Sequence, residues 1–187
     1  MRLDRIYTRG GDAGETSLGD GTRVPKCHPR VQVSGGLDEA NAAIGVALFY
    51  IEDAEVRTVL RLVQNDLFDV GADLCKPEQP DAKKTPLRVT ERQVATLERE
   101  IDRFNEQLAP LTSFVLPGGS VASAHLHLAR SVVRRAERDI VQLAAHEPVN
   151  AEALKYVNRL SDLLFVLART LNDRGASDVL WQPGLTR

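Results

Sequence analysis

The sequence has few aromatic residues, few cysteines and no excess of charge of either sign. Aromatic residues make up 5% of the 187 residues, so a hydrophobic core has to consist mainly of Leu, Val and Ala. The two cysteines, Cys27 and Cys75, are far apart in the chain, which argues against a disulfide framework and against a zinc site. A formal charge of -2 gives no electrostatic reason to expect binding to nucleic acid or to an anionic membrane, so any anion-binding site must be local.

Long hydrophobic runs are also missing. No uninterrupted run is longer than that from Leu163 to Ala168, whereas a membrane-spanning helix needs about 20 apolar residues. The N-terminal segment is charged and lacks the apolar stretch of a secretory signal. We therefore expect no membrane helix and a cytoplasmic location.

The sequence does contain strong helical periodicity. Apolar residues recur at intervals of three and four positions in five segments, and Thr90 with Gln93 forms a capping box at the start of the third. No convincing strand is present, so the pattern predicts an all-α chain folded as a mainly antiparallel five-helix bundle. The predicted helices run from Gly35 to about Ile51, from Val56 to about Leu74, from Thr90 to about Leu108 with Pro110 marking the end, from about Ser120 to about Ala145, and from Asn150 to about Leu171.

The length predicts a single domain over residues 1–187. Within it we expect a glycine-rich N-terminal loop over residues 1–34, the helical bundle over residues 35–174 and an irregular tail over residues 175–187. Pro77, Pro80 and Pro86 predict a further loop between the second and third helices.

The first candidate site is the glycine-rich segment Thr8 to Leu18. Its glycines allow backbone N–H groups to close around an anion, as in a phosphate-binding loop. It is not a Walker P-loop, because Gly14 is followed by Glu15 rather than by Lys and a hydroxyl residue. A flexible, solvated terminus is the alternative interpretation. The groups that would bind phosphate are the hydroxyls of Thr8, Thr16 and Ser17 and the charged side chains of Arg9 and Lys26.

The second candidate site is a strip of arginines on the fourth helix. Arg130, Arg134 and Arg138 fall within one sector of about 100°, with Glu137 beside them and Arg135 next in sequence. Such a strip can bind a polyphosphate, with Glu137 holding one arginine in position. Like charges one turn apart repel without an anion, but a solvated face of mixed charge would also explain the pattern.

Polar residues on two other helices allow a functional and a structural interpretation. Asn158 and Asp162, one turn apart on the fifth helix, could hold a nucleotide or a magnesium-bound phosphate, and interhelical polar contacts explain them equally well. Asp38 and Glu39 lie near the start of the first helix, where the helix dipole favours acidic residues.

Metal ligands are not evident in the sequence. No Glu-x-x-His pair is present, so a ferritin-like di-iron site lacks its ligands. His125 and His127 are two positions apart on a helix and point to different sides, which argues against a metal-binding pair.

Six segments, taken in order, resemble the PduO-type ATP:cob(I)alamin adenosyltransferases. The resemblance extends from about Tyr7 to Asn172 and depends on the order of the segments rather than on one motif. The segments are Tyr7-Thr8-Arg9-x-Gly11-Asp12-x-Gly14-x-Thr16-Ser17-Leu18, Lys26-x-x-Pro29-Arg30-Val31, Gly36-Leu37-Asp38-Glu39-x-Asn41, Phe114-Val115-Leu116-Pro117-Gly118-Gly119, Arg130-x-x-x-Arg134-Arg135-Ala136-Glu137-Arg138 and Asn158-Arg159-Leu160-Ser161-Asp162.

The resemblance implies an enzyme that transfers the 5′-deoxyadenosyl group of ATP to the cobalt of cob(I)alamin, forming adenosylcobalamin and triphosphate. It implies a homotrimer with ATP sites between subunits, magnesium with the ATP, and a flavin-type reductase as the source of electrons. The residues implied to act in catalysis are Asp38, Arg130, Arg134 and Phe114. Asp38 and Arg130 would form an ion pair between subunits, and Phe114 would lie against the lower face of the corrin. Those implied to bind ATP are Thr8, Arg9, Gly10, Gly11, Thr16, Ser17, Lys26, Arg134, Arg135, Glu137, Arg138 and Asn158.

An alternative from another functional class remains open at this point. A non-catalytic helical bundle that senses nucleotide or serves as an interaction scaffold would keep the same apolar pattern. Such a bundle would not explain why Phe114, Asp38 and the arginine strip occur together with the glycine-rich loop.

Overall fold

A computed structural model describes residues 6–78 and 86–187, and within these ranges the chain forms five α-helices and two short strands. The predicted five-helix architecture is confirmed, with a small antiparallel sheet added to it. None of the described helices is long and apolar enough to cross a membrane. The elements are β1 (Glu15–Ser17), β2 (Arg23–Pro25), α1 (Pro29–Phe49), α2 (Ala54–Leu74), α3 (Glu91–Asn105), α4 (Val121–Ala144), α5 (Ala151–Thr170) and a 3₁₀ turn (Asp173–Gly175).

Side chains at the helix starts explain where three of the helices begin. Ser120 and Asn150 each accept a hydrogen bond from a backbone N–H two or three residues further along α4 and α5. The capping box of α3 is present, because the side-chain oxygen Oε1 of Gln93 accepts a hydrogen bond of 3.0 Å from the Thr90 N–H. These contacts satisfy N–H groups that have no partner within the helix, and they confirm the three predicted starting points.

The helices pack around a core centred on α1, α4 and α5. α4 lies between α1 and α5, while α2 packs on α1 and α3 packs on α5. A Cβ atom at Gly36 would lie 3.3 Å from the Cβ atom of Ala136, so glycine at this position lets α1 approach α4 closely. Ile44, Leu126 and Leu164 are fully buried in this core.

The first helix begins at Pro29 rather than at the predicted Gly35. His28 Nδ1 accepts a bond from the backbone N–H of Arg30, and Pro29 occupies the first helical turn, where its missing N–H is no cost. Arg30 is buried because Glu147 and two backbone carbonyl groups accept its hydrogen bonds. The apolar repeat extends back only to the buried Val33, and the first turn before it is held in place by the charged Arg30.

The two strands show that the prediction of a strand-free chain was wrong. Thr16 pairs with Val24 in the antiparallel register, and Val24 is buried. Each strand has three residues, which is too short for an alternating pattern to be recognised in a glycine-rich sequence.

The third helix is shorter than predicted. α3 ends at Asn105, and Leu108, which the apolar pattern placed in the helix, lies in the turn that follows and still packs against the core. The proline-rich loop predicted after α2 lies partly outside the described residues, because Pro80 is not among them.

Candidate active site

An open cavity of about 650 Å³ lies at one end of the bundle, between α4, α5, a connecting loop and the C-terminal tail. Its walls combine apolar side chains with one cation and one anion. The loop contributes residues 111–115, α4 contributes His127 and Arg130, α5 contributes Asp162 and Phe165, and the tail contributes Trp181.

Phe114 projects from the loop into this region. Its side chain is 77% exposed, and its ring centre lies 6.0 Å from that of Trp181. An isolated aromatic residue in a connecting loop could be a plug for the end of the bundle, but a plug would be buried. Phe114 is therefore available to contact a molecule that enters the cavity.

Arg130 forms the cationic part of the wall. Its guanidinium carbon lies 5.3 Å from the centre of the Phe165 ring, which is the distance of a cation–π contact. Burial, followed by the neighbouring Arg134, lowers the pKa of Arg130, and Asp162 partly offsets this effect. Within the described part of the chain, no hydrogen bond or ion pair engages the guanidinium group of Arg130 or Arg134. Both groups can therefore bind an anion.

His127 lies in the same wall, one turn before Arg130. It is 3% exposed, and neither ring nitrogen has a hydrogen-bond partner among the described residues. Its ring makes an edge-to-face contact with that of Phe165, with the ring centres 6.1 Å apart. Burial and the adjacent Arg130 lower the pKa of His127, so the imidazole is neutral at pH 7.

The two histidines of α4 do not form a metal-binding pair. His125 stacks on Tyr50 of α1 with 5.0 Å between ring centres, whereas His127 faces α5. Their predicted divergence is confirmed. The sequence interpretation missed His127 as a cavity residue, although its position three residues before Arg130 placed it on the same face of the helix.

The rest of the arginine strip continues from the cavity along α4. Arg138 donates a hydrogen bond of 3.1 Å to the backbone carbonyl of Arg134. Glu137 accepts a hydrogen bond of 2.8 Å from the Asn158 amide, which joins α4 to α5. This bond differs from the predicted one, because Glu137 orients an asparagine rather than an arginine.

Arg135 lies apart from the strip. Its guanidinium group forms an ion pair with Glu39 of α1, and both side chains are about half exposed. Gln32 and Asp139 form a second polar contact across the same two helices. The ion pair of Arg135 with Glu39 thus joins α4 to α1 and does not involve Arg134.

The glycine-rich loop is held by basic side chains. A Cβ atom at Gly11 would lie 3.1 Å from the Lys26 ammonium nitrogen, so the lysine rests directly against the glycine backbone. Arg23 donates a hydrogen bond of 2.7 Å to the Gly10 carbonyl and another of 3.3 Å to the Ser17 hydroxyl. The sequence interpretation missed Arg23, whose position opposite Ser17 becomes evident only from the pairing of β1 with β2.

The remaining predicted loop residues lie on the same surface segment. Thr8, Arg9 and Ser17 are exposed, and Thr16 is half-buried on β1. Arg9 adopts a left-handed conformation with φ of 61°, which is uncommon outside glycine. A backbone hydrogen bond of 3.0 Å from Gly19 to Cys75 attaches the segment to the end of α2, whereas the arginine strip lies on α4. No hydrogen bond connects the loop to the strip in the described ranges.

Asp38 and Arg130 line different cavities. Asp38 is exposed in a groove of about 490 Å³ between α1 and α2, together with Asn41 and Phe68. No ion pair joins Asp38 to Arg130 within the described residues of one chain. The predicted pair therefore remains a prediction about two different copies.

Comparison with known proteins identifies the family. The model of the cobalamin adenosyltransferase family matches residues 6–171. The chain belongs to this family. It is 51% identical to the corrinoid adenosyltransferase of Mycobacterium tuberculosis over 187 residues, covering 98% of this chain and 96% of the relative. It is 48% identical to the cobalamin adenosyltransferase of Cupriavidus metallidurans, covering 97% and 96%.

Solved structures agree with this assignment. A phenylalanine-to-histidine variant of a PduO-type ATP:corrinoid adenosyltransferase from Lactobacillus reuteri, complexed with cobalamin and ATP, matches with a TM-score of 0.89 and 34% identity. The match covers 96% of this chain and 97% of that chain. The resemblance based on the six segments is thereby confirmed at the level of the family and the fold.

This member of the cobalamin adenosyltransferase family contains no preformed metal centre in its described residues. No group of three or more His, Cys, Asp or Glu side chains converges there. Glu137 lies three positions after Arg134 and one before Arg138, and its oxygens are ligands of the type that Mg²⁺ prefers.

Proposed function

We propose that the chain transfers the 5′-deoxyadenosyl group of ATP to the cobalt of a reduced corrinoid, releasing triphosphate. The observation that carries the proposal is the cavity at the end of the bundle, where the exposed Phe114 faces a space bordered by Arg130. The guanidinium group of Arg134, which has no hydrogen bond or ion pair within the described ranges, lies one turn further along α4 from Arg130. A nucleotide-sensing bundle would need the arginines but would have no use for the exposed aromatic ring.

The arginine strip and the loop are assigned to ATP. Arg134 and Arg138 supply planar donors that match phosphate oxygens, and the Lys26 ammonium at Gly11 supplies a point charge on the loop. Glu137 holds the Asn158 amide in place, which leaves the Asn158 side chain oriented towards the same edge of α4. The Glu137 carboxylate would help to hold magnesium, whose charge would offset part of the triphosphate charge.

The chemistry of the transfer is a nucleophilic displacement. The electron pair of cobalt(I) attacks the ribose C5′ atom, the C5′–O bond breaks, and the electron pair of that bond leaves with the triphosphate. Cobalt(I) is so nucleophilic that no side chain has to act as a base. The protein's contribution is to align the cobalt with C5′ and to stabilise the charge of the leaving group through Arg134 and Arg138.

Phe114 is assigned to the reduction that precedes the transfer. A ligand below the cobalt raises the energy of the orbital that accepts the electron, so removing that ligand makes cobalt(II) easier to reduce. An apolar ring on this side excludes water and the corrinoid's own base, and Phe114 has the required exposure. The electron would come from a flavin-type reductase.

The proposal includes a homotrimer in which the sites lie between subunits. Two observations support it. The loop and the arginine strip lie on different elements with no hydrogen bond between them in the described ranges, so a second copy could bring them together. Phe68, beside Asp38, is 72% exposed and Phe49 on the same α1–α2 unit is 87% exposed, which is unusual for large apolar rings unless a partner covers them. A cytoplasmic setting fits the two free thiols, Cys27 and Cys75.

The experiment that tests the proposal uses purified protein, ATP and chemically reduced cob(I)alamin. We expect light-sensitive adenosylcobalamin and triphosphate in equal amounts. Arg134→Ala should retain its fold, because the side chain is exposed, and should lose roughly 10- to 150-fold in ATP use, the effect of about 1.5–3 kcal/mol for a charged hydrogen bond. Arg99→Ala, which removes an exposed arginine of α3, is the matched control.

Two results would count against the proposal. Tight ATP binding without any transfer to cobalt would favour the nucleotide-sensing bundle instead. Equal turnover by Arg134→Ala and Arg99→Ala would show that the strip does not hold ATP.

A further inference from the structure

A buried ion pair anchors the C-terminal tail to the end of α5. Arg169 donates a hydrogen bond of 2.8 Å from Nε to Asp178 Oδ2, and the two side chains are 6% and 4% exposed. The Asn172 amide donates a hydrogen bond of 2.9 Å to the other oxygen of Asp178. Arg169 also donates a hydrogen bond of 3.0 Å to the Ala109 carbonyl, in the segment that leads into the cavity loop. Both carboxylate oxygens of Asp178 are therefore engaged.

The residues directly after Asp178 pair with the loop that carries Phe114. The Leu116 N–H donates a hydrogen bond of 2.8 Å to the Val179 carbonyl, and the Trp181 N–H donates one of 2.7 Å to the Phe114 carbonyl. The Ser113 hydroxyl adds a bond of 2.8 Å to the Trp181 carbonyl. The backbone of Phe114 is thus bonded to a segment that begins at the buried ion pair.

Apolar burial does little to hold either segment. Val179 is 58% exposed and Trp181 is 46% exposed, while Leu116 in the loop is 45% exposed. Hydrophobic stabilisation scales with the area removed from water, so these half-exposed side chains leave the hydrogen bonds to fix the geometry. Asp178 is the point at which the paired segments join the rigid bundle.

We propose that Arg169 and Asp178 are positioning residues that hold the Phe114 loop, through the tail residues 179–181, in the place required for corrinoid reduction. This inference rests on the proposed function of Phe114. Neither side chain touches substrate in this arrangement, and their effect is transmitted through the backbone pairing. A shift of about 1 Å in a positioned group can cost roughly 100-fold in rate, so the anchor matters even though it is remote from the cobalt.

The test uses the full chain and the variant Asp178→Asn, which keeps the shape of the side chain and removes its charge. We expect activity with cobalt(II) and reduced flavin to fall roughly tenfold or more, while activity with cob(I)alamin supplied chemically falls by no more than about threefold. Cob(II)alamin that has lost its lower ligand has four-coordinate cobalt, which is visible in the optical spectrum of the bound corrinoid. This spectral signal should decrease in parallel.

Trp181 provides a readout that needs no corrinoid. It is the single tryptophan of the sequence, so its fluorescence reports on the tail alone. In Asp178→Asn the anisotropy should fall and the emission should shift to longer wavelength as the tail detaches. Ser113→Ala, which removes one bond between loop and tail without touching the buried pair, should change the same readouts in the same direction by a smaller amount.

Tyr156→Phe is the control for stability alone. It removes a buried hydrogen bond of 3.0 Å to Asp66 in the interior of the bundle, away from the tail. We expect it to lower the melting temperature without changing the ratio of the two activities or the Trp181 anisotropy. If Asp178→Asn behaves like Tyr156→Phe, the ion pair serves the fold only and the inference is overturned.

Failure of the proposed function would look different. In that case the unmodified protein would form no adenosylcobalamin from chemically reduced cob(I)alamin. The assignment of Phe114 to corrinoid reduction, and with it the positioning role, would then be excluded, whatever the fluorescence showed about the tail.

Discussion

Replacing Phe114 with alanine separates catalysis from stability, because the structure sets the two expected effects far apart. Phe114 is 77% exposed, so only about a quarter of its surface is buried in the folded protein. A fully enclosed Phe side chain buries roughly 200 Å², so truncation to alanine removes about 50 Å² of buried area at most. At about 25 cal/mol per Å² this loss amounts to about 1 kcal/mol in the free energy of unfolding. The tilted contact with Trp181 adds about 0.5–1.5 kcal/mol at most.

Phe104 is the matched comparison for this estimate. It is 3% exposed in the core, where truncation to alanine costs about 3–5 kcal/mol. Denaturant titrations of Phe114→Ala and Phe104→Ala should therefore differ clearly. The smaller destabilisation of Phe114→Ala should leave a folded protein in which catalysis can be measured.

The catalytic assay compares two starting materials for Phe114→Ala. With cob(I)alamin supplied chemically the transfer should continue, because the nucleophile is already formed. With cob(II)alamin and a flavin reductant the rate should fall roughly tenfold or more, since about 1.4 kcal/mol in the barrier is a factor of ten. A destabilisation as large as that of Phe104→Ala, with equal losses in both assays, would refute the reasoning and assign Phe114 to packing.

Two further predictions concern charge. Asp38→Asn should impair corrinoid turnover more than ATP binding, and a double-mutant cycle with Arg130→Ala should give a coupling energy of about 0.5–3 kcal/mol; additive effects would contradict a direct pair between subunits. The lowered pKa of His127 means that the unfolded chain takes up a proton that the folded chain does not, so stability should fall as the pH drops below about 6.5. His127→Phe should reduce this dependence of the unfolding free energy on pH by at most about 1.4 kcal/mol per pH unit relative to the unchanged protein. A pH profile identical to that of the unchanged protein would contradict the assignment.

The helices could be predicted because their information is local. The apolar residues of α4 and its arginines each recur at the helical period on opposite faces. Ala136 and Ile140 are therefore buried, while Arg134 and Arg138 are exposed. The start of α3 was equally accessible, since Thr90 and Gln93 interact within one turn. The start of α1 was not, because it depends on Arg30 bonding to groups more than 40 positions away in the chain.

The candidate site shows the same division between local and distant interactions. The helical period placed Arg130 and Arg134 on one face, and the structure confirms that they are neighbours. The helical period could not show that Glu137 accepts a hydrogen bond from Asn158, since that contact depends on how α4 packs against α5. His127 was overlooked for a related reason: its importance comes from burial without a hydrogen-bond partner, which no spacing reveals.

Gly119 directly precedes the Ser120 cap of α4 and also has a role in the tertiary structure. Its φ of 96° is accessible to glycine at little cost, and a Cβ atom there would overlap the side-chain amide of Asn172. The close approach allows Asn172 Oδ1 to accept a hydrogen bond of 3.1 Å from the N–H of Ser120, while its amide nitrogen donates to Asp178. The start of α4 and the anchored tail therefore share one asparagine. Any larger residue at position 119 would displace Asn172 and, through Asp178, the segment that holds the Phe114 loop.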